Sequence, residues 1–302
     1  MKIAVIDLGT NTFHLIIAEN NGNRPEVVFK TNKPVKLGED ITKANLIIPA
    51  AFERGIACLK EFKAIADQFE VSQIKAVATS GVRSAQNGAE FVNEARIKAG
   101  IHIEIIDGEQ EAAYIYEGVK WSGAIAGKSL VMDIGGGSTE FILCNNEEVI
   151  WKKSYNIGAA RLMQRFFKSD PINEHDKQLI LVHLADKLGE LKAICQAHNP
   201  QTLIGSAGAF ETFAGMIDPA IDIDQTATAT ISLEAYRKLA NQLIGATHQE
   251  RADMPGLIPL RVDMIVMACI LTNYVIDELG IANLKLSTYD LKMGVLASLS
   301  NQ

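Results

Sequence analysis

The stretch that decides the fold lies near the start of the chain and reads Val5-Ile6-Asp7-Leu8-Gly9-Thr10-Asn11-Thr12. An apolar run ends at an aspartate, which is followed by one apolar residue, a glycine, two small residues and a hydroxyl residue. A second apolar run, Leu15 to Ala18, comes shortly afterwards. Two apolar runs separated by a short glycine-containing segment predict a β-hairpin.

The same outline recurs in the second half of the chain, at Val131-Met132-Asp133-Ile134-Gly135-Gly136-Gly137-Ser138, ahead of the apolar run Phe141 to Cys144. One glycine-rich hairpin with an aspartate is common in proteins and would mean little alone. Two copies with matched order, one in each half of the chain, predict two domains that face one another across a phosphate-binding cleft.

The residue types of these turns indicate anion binding. Glycine lets the backbone adopt a positive φ and approach a ligand, so that successive N–H groups converge on phosphate oxygens, and Thr or Ser adds a hydroxyl donor. A carboxylate beside an anion site is favourable when a divalent metal lies between them. We therefore expect Asp7 and Asp133 to face a metal, and phosphate contacts from Gly9, Thr10, Asn11, Thr12, Gly135, Gly136, Gly137 and Ser138.

Composition narrows the class of protein. The chain has 302 residues, enough for two domains, and its 48% hydrophobic and 22% charged residues are ordinary for a soluble globular protein. A net charge of −7 disfavours a general nucleic-acid binder. Neither a signal peptide nor a membrane-spanning run is evident, so we expect a cytoplasmic protein without a membrane partner. The four cysteines lack CxxC spacing and fit reduced core thiols. Whether the chain forms a homodimer is left open.

Hydrophobic periodicity predicts an alternation of strands and helices, which is typical of an α/β fold. The small-residue stretch Gly123 to Gly127 is the best boundary and divides the chain into domains 1–123 and 124–302, with the last helix a candidate to pack back on the first domain. The second half is expected to contain one long helix over Glu174–Ala197, a glycine turn at Gly205-Ser206-Ala207-Gly208 and a helix over Leu260–Leu279.

Several blocks in the same order along the chain resemble the exopolyphosphatase / guanosine pentaphosphate phosphohydrolase family, part of the actin, sugar-kinase and heat-shock-chaperone ATPase superfamily. The blocks are VIDLGTNTFHLIIAE at 5–19, ATSGVR at 78–83, EIIDGEQEAAYIYEGV at 104–119, LVMDIGGGSTEFI at 130–142, NIGAARL at 156–162 and the turn at 205–208. The resemblance implies two ribonuclease-H-like, actin-like ATPase domains flanking an active-site cleft, in a short two-domain form.

The resemblance also implies hydrolysis of a terminal phosphoanhydride with Mg²⁺. It assigns the general base to Glu111, a phosphate contact to Arg83 and further phosphate contacts to Gly205 and Gly208, with Asp7 and Asp133 holding the metal. The chemistry suits these residue types, because a carboxylate can deprotonate water and a guanidinium fork matches phosphate oxygens. The implied substrate is inorganic polyphosphate. Guanosine pentaphosphate is the alternative, and a non-catalytic alarmone or nucleotide sensor is a third.

Each assignment has a structural alternative. Glu111 could be a solvated acid at a helix start, where acids favour the helix dipole. Arg83 could be a surface residue. Arg161 and Arg165, four residues apart on a predicted helix, could line the cleft or face solvent.

The chain also departs from the family pattern at three places: Gln110 replaces an acid, Ala209 replaces a hydroxyl residue, and Lys292-Met293 stands where the family tends to show Arg-Glu. Longer members carry an additional C-terminal helical domain. Since none is seen in this sequence, we expect distributive action on short substrates.

Overall fold

The computed structural model describes residues 1–20, 24–40 and 45–300. The chain forms two compact units, Met1–Gly118 together with Leu291–Gln302, and Val119–Asp290. The division falls shortly before the small-residue stretch at Gly123 to Gly127, and the last helix belongs to the first unit. Each unit buries its own apolar core.

The first unit is built on a mixed sheet. Its strands in the described residues are β1 (Lys2–Leu8), β2 (Thr12–Glu19), β3 (Glu26–Pro34), β4 (Gln73–Ala78) and β5 (Ile103–Ile105), in the order β3-β2-β1-β4-β5. β1, β2 and β3 form an antiparallel meander, and β4 and β5 run parallel to β1. The helices that follow these strands are α1 (Pro49–Gln68), α2 (Ser80–Arg83), α3 (Gly88–Ala99) and α4 (Gly108–Ser122).

The second unit repeats this sheet. Its strands in the described residues are β6 (Ser129–Ile134), β7 (Thr139–Cys144), β8 (Val149–Tyr155), β9 (Thr202–Ser206), β10 (Thr228–Ile231) and β11 (Asn283–Ser287). The order β10-β11-β9-β6-β7-β8 is the order of the first sheet with one added edge strand. Both units therefore have the ribonuclease-H-like arrangement, and the predicted fold class is confirmed.

The helices of the second unit differ from prediction in detail. They are α5 (Ala159–Phe166), α6 (Glu174–Lys187), α7 (Gly189–His198), α8 (Ala207–Ile217), α9 (Leu233–Gly245), α10 (His248–Ala252) and α11 (Met264–Leu279), with a 3₁₀ turn at Pro259–Arg261. The predicted single helix over Glu174–Ala197 is wrong, because the chain leaves the helix at Leu188, with φ −100° and ψ 15°, and restarts at Gly189. Glycine is a weak helix former, and here it allows the break.

The predicted glycine turn at 205–208 is wrong, because Gly205 and Ser206 end β9 and Ala207 and Gly208 begin α8. Phe210, Phe213 and Ala214 are buried at helical spacing, so α8 packs into the core of its unit. The last helix, α12 (Leu291–Ser300), packs against β1 in the first unit. No helix in the described ranges is both long and apolar enough to cross a membrane.

Candidate active site

The predicted functional residues of the first unit lie at one edge of its sheet. β1, β4 and β5 are parallel, so their carboxyl ends meet at the same edge, where ligands bind in open α/β sheets. Asp7 lies near the end of β1, Arg83 follows β4 in α2, and Glu111 follows β5 in α4.

Arg83 and Glu111 are in direct contact. Nη1 of Arg83 donates to Oε2 of Glu111 at 2.8 Å and to the carbonyl oxygen of Ile106 at 2.9 Å. The side chain of Glu111 is 8% exposed and that of Arg83 22% exposed. Glu111 is therefore not a solvated acid at a helix start, because it is buried and paired.

The start of α4 fixes the position of Glu111. The carboxylate of Asp107 accepts a bond from the Gln110 N–H at 2.7 Å, and the Asp107 carbonyl accepts one from the Glu111 N–H at 2.9 Å. An aspartate in this place satisfies the first free N–H groups of a helix. Gln110 itself is exposed. The change from an acid to Gln110 therefore lies outside the buried ion pair.

The first turn, Gly9 to Thr12, directs its carbonyls toward one segment of the chain and its N–H groups away from it. The Gly38 N–H donates to the Thr10 carbonyl at 2.8 Å, and the N–H groups of Val35 and Lys36 donate to the Asn11 carbonyl at 2.9 and 2.7 Å. In a planar trans peptide the N–H of the next residue points opposite to the carbonyl. The N–H groups of Asn11 and Thr12 therefore point away from the 35–38 segment.

A side chain at the glycine that heads either turn would crowd the backbone. A Cβ on Gly9 would lie 2.8 Å from the Thr12 carbonyl oxygen, and one on Gly135 would lie 3.0 Å from that of Ser138. Neither glycine has the left-handed φ that was expected here from the sequence. The two turns thus share one shape, in which the backbone folds back closely on itself.

Backbone hydrogen bonds from the start of α5 hold the second turn, Gly135 to Ser138. The N–H groups of Ala159, Arg161 and Gly158 donate to the carbonyls of Gly135, Gly136 and Gly137 at 2.9, 3.1 and 3.3 Å, respectively. By the same peptide geometry, the N–H groups of Gly136, Gly137 and Ser138 point away from α5. Three consecutive N–H groups on one side of a turn form the kind of nest that binds anions.

Asp133 lies beside this turn and is 7% exposed. Ser206, its register partner on the parallel strand β9, donates its hydroxyl to Oδ2 of Asp133. Glu140 is the register partner of Asp133 on the antiparallel strand β7. It is 1% exposed and accepts a bond from the Ser154 hydroxyl at 2.6 Å. Ser206 was not predicted as a partner of Asp133, because the pairing depends on strand register.

Gly205 and Gly208 have packing reasons that involve no ligand. A Cβ on Gly205 would lie 1.9 Å from the ring of Phe210, and one on Gly208 would lie 2.0 Å from Nη2 of Arg261. Arg261, which no motif in the sequence indicates, also donates to the Thr212 hydroxyl at 2.6 Å. The phosphate contacts expected of these two glycines stay a prediction.

Each of the two turns has beside it a carboxylate of the kind that Mg²⁺ can use as a ligand. No three His, Cys, Asp or Glu side chains converge on a common point in the described part of the chain, as a zinc or calcium cage would require. Mg²⁺ instead uses one or two carboxylates together with water and substrate phosphates. Asp7 and Asp133 each carry such oxygens, and their role as metal ligands stays a prediction.

The fold and the turns together define a class: a two-domain protein with ribonuclease-H-like units, each with a glycine-headed hairpin turn. Residues 15–302 match the Ppx/GppA phosphatase family, and the chain belongs to this family.

Proteins similar to this chain include an exopolyphosphatase and a guanosine-5'-triphosphate,3'-diphosphate pyrophosphatase. An exopolyphosphatase crystal structure from Cytophaga hutchinsonii has a TM-score of 0.96 and 36% identity, covering 100% of this chain and 98% of that one. The crystal structure of the Aquifex aeolicus Ppx/GppA family member has a TM-score of 0.83 and 26% identity, covering 99% and 97%. A guanosine-5'-triphosphate,3'-diphosphate pyrophosphatase from Aeromonas hydrophila is 27% identical over 98% of this chain, which spans 59% of that protein's length.

Proposed function

We propose that the protein is an exopolyphosphatase that hydrolyses the terminal phosphoanhydride of inorganic polyphosphate and releases orthophosphate. The observation that carries this proposal is the bond between Arg83 and Glu111 at the sheet edge where the first turn lies. It places a buried carboxylate, able to accept a proton, beside a cation able to bind phosphate oxygens. Membership of the Ppx/GppA phosphatase family supports the same reaction.

In the proposed reaction, Glu111 orients a water molecule and accepts its proton as the water oxygen attacks the terminal phosphorus. The bond from that phosphorus to the bridging oxygen breaks, and the shortened chain leaves. Arg83 and the N–H groups of the turns bind the non-bridging oxygens, where charge is spread in the transition state. Asp7 and Asp133 would hold Mg²⁺, which neutralises phosphate charge when it is bound.

Polyphosphate is favoured over guanosine pentaphosphate by the extent of similarity. The exopolyphosphatase from Cytophaga hutchinsonii matches this chain almost end to end at 36% identity. The pyrophosphatase from Aeromonas hydrophila is less similar, and this chain spans only part of it. A non-catalytic sensor is disfavoured, because a sensor does not need a buried carboxylate paired with Arg83.

We further propose that the protein acts in the cytoplasm.

A side-by-side assay tests the proposal. Phosphate release would be measured with Mg²⁺ from tripolyphosphate, from longer polyphosphates of defined length and from guanosine pentaphosphate. We expect the larger kcat/KM on polyphosphate. A larger kcat/KM on guanosine pentaphosphate would make the protein a guanosine pentaphosphate 5′-phosphohydrolase, and binding without release from any substrate would make it a sensor.

A further inference from the structure

Arg161 is tied to the second turn twice. Its backbone N–H donates to the Gly136 carbonyl at 3.1 Å, and its side-chain Nε donates to the Gly137 carbonyl at 3.0 Å. A Cβ on Gly158, at the start of α5, would lie 2.5 Å from the Gly136 carbonyl oxygen. The helix start and the turn are therefore in direct contact, and the guanidinium is fixed against the turn.

The charge of Arg161 is less compensated than the charges of Arg251 and Arg261 in the same unit. Arg251 contacts Asp170 and Asp263, each at 3.1 Å, and Arg261 lies 3.5 Å from Glu211. Arg161 is half-buried, and burial lowers the pKa of its guanidinium with no carboxylate acting against that effect in the described residues. A desolvated cation is costly unless an anion accompanies it.

Arg161 lies on the carbonyl side of the second turn, and this position restricts the size of an anion that could contact both Arg161 and the N–H groups of the turn. The turn carbonyls point toward α5, and Arg161 contacts one of them, whereas the N–H groups of Gly136, Gly137 and Ser138 point the other way. One phosphate group cannot lie on both sides of the turn. A ligand that uses the N–H groups and also reaches Arg161 must therefore carry several linked phosphates.

We propose that the Arg161 guanidinium binds a phosphate of the polyphosphate chain other than the one bound by the N–H groups of the second turn, and that it makes affinity depend on chain length. The inference rests on the proposed function. With Nε committed to Gly137, the two terminal amino groups supply the remaining donors.

The chain offers a matched control. Arg165 lies four residues further along α5, is exposed, and places its guanidinium 4.9 Å from the ring centre of Phe166. Arg161→Gln and Arg165→Gln remove the same charge from the same helix. The amide nitrogen of glutamine occupies the position of the arginine Nε, so Arg161→Gln keeps a donor for the Gly137 carbonyl and removes only the charged fork.

Binding would be measured by calorimetry in Glu111→Gln protein, which is expected not to consume its ligand at an appreciable rate. We expect Arg161→Gln to weaken the binding of tripolyphosphate and longer chains about ten-fold or more, the usual worth of a charged hydrogen bond, and to leave orthophosphate binding within about two-fold. We expect Arg165→Gln to leave both within about two-fold. Melting curves would check that each variant is folded.

Equal polyphosphate binding by the Arg161→Gln and Arg165→Gln proteins would overturn the inference. An equal loss on orthophosphate would overturn it too, because Arg161 would then only shape the turn. If Arg161→Gln does not fold, Arg161→Lys keeps the charge without the fork, and it should weaken polyphosphate binding more than Arg165→Lys does. The proposed function fails separately, if unsubstituted protein releases no phosphate from polyphosphate.

Discussion

Arg83 and Glu111 are 28 positions apart in sequence, and their side chains are joined by a bond of 2.8 Å. Because the same arginine nitrogen also donates to the Ile106 carbonyl, the guanidinium is oriented by two partners before any substrate arrives. Preorganised donors lower the barrier most, since they need not move as charge develops. The positive charge of Arg83 also stabilises a negative charge on Glu111, the form that accepts a proton.

Glu111→Gln should leave the protein folded and lower kcat on polyphosphate by about 10²–10⁴, the usual worth of a general base. Glutamine has nearly the same shape and can still accept the bond from Arg83. Glu109→Gln is the control, because Glu109 is exposed on the same helix. Turnover of the Glu111→Gln protein close to that of unsubstituted protein would remove Glu111 from the mechanism.

Asp7→Asn and Asp133→Asn should each raise the Mg²⁺ concentration needed for half-maximal activity. The physical reason is that a neutral amide oxygen would replace the charged oxygen that we propose as a metal ligand. The exposed Asp222→Asn is the control. The measurement is phosphate release over a titration of Mg²⁺, and activity that persists in excess chelator would rule out a magnesium site.

The two hairpins could be predicted from sequence because their signals are local. Asp7 and Asp133 end apolar runs, and the glycine behind each leaves room for a tight backbone turn. The break at Leu188 was missed, because apolar periodicity continues on both sides of it and only Gly189 marks the restart.

Side-chain partners were harder to predict than strands. Arg161 and Arg165 are four residues apart and look equivalent in sequence, yet one is fixed to a turn and the other is exposed. Arg251 lies in the polar stretch after His248 but is fully buried, with two carbonyls and two carboxylates around it. Such contacts depend on the tertiary packing of segments that are distant in sequence, and no local pattern encodes them.

Gly294→Ala should lower the free energy of unfolding by about 1–3 kcal/mol, the usual cost of overpacking. A Cβ on Gly294 would lie 1.7 Å from the Tyr114 carbonyl oxygen, where α12 contacts α4. Gly215→Ala is the matched control, because nothing lies within 4 Å of a Cβ on that helical glycine. The control should gain about 0.5–1 kcal/mol. Urea unfolding measures both, and equal stability of the two variants would contradict this packing.

His183 should make the protein less stable in mild acid. Its ring lies on α6 with its centre 5.2 Å from that of Phe166, and burial, followed by the charges of Arg165 and Lys187, lowers its pKa below the ordinary value of 6.5. The folded state thus disfavours the proton. As the pH falls below about 6.5, the unfolded chain takes up a proton that the folded chain resists, and the free energy of unfolding decreases.

Urea unfolding at several pH values from about 7.5 to 5 would measure this effect. Unsubstituted protein should lose more stability over that range than His183→Gln, which cannot titrate there. His175→Gln, at an exposed position in the first turn of the same helix, should keep the slope of unsubstituted protein. Parallel pH profiles for unsubstituted protein and His183→Gln would contradict this prediction. They would show that the His183 ring takes up a proton equally readily in the folded and unfolded states, despite its packing against Phe166 and its two cationic neighbours.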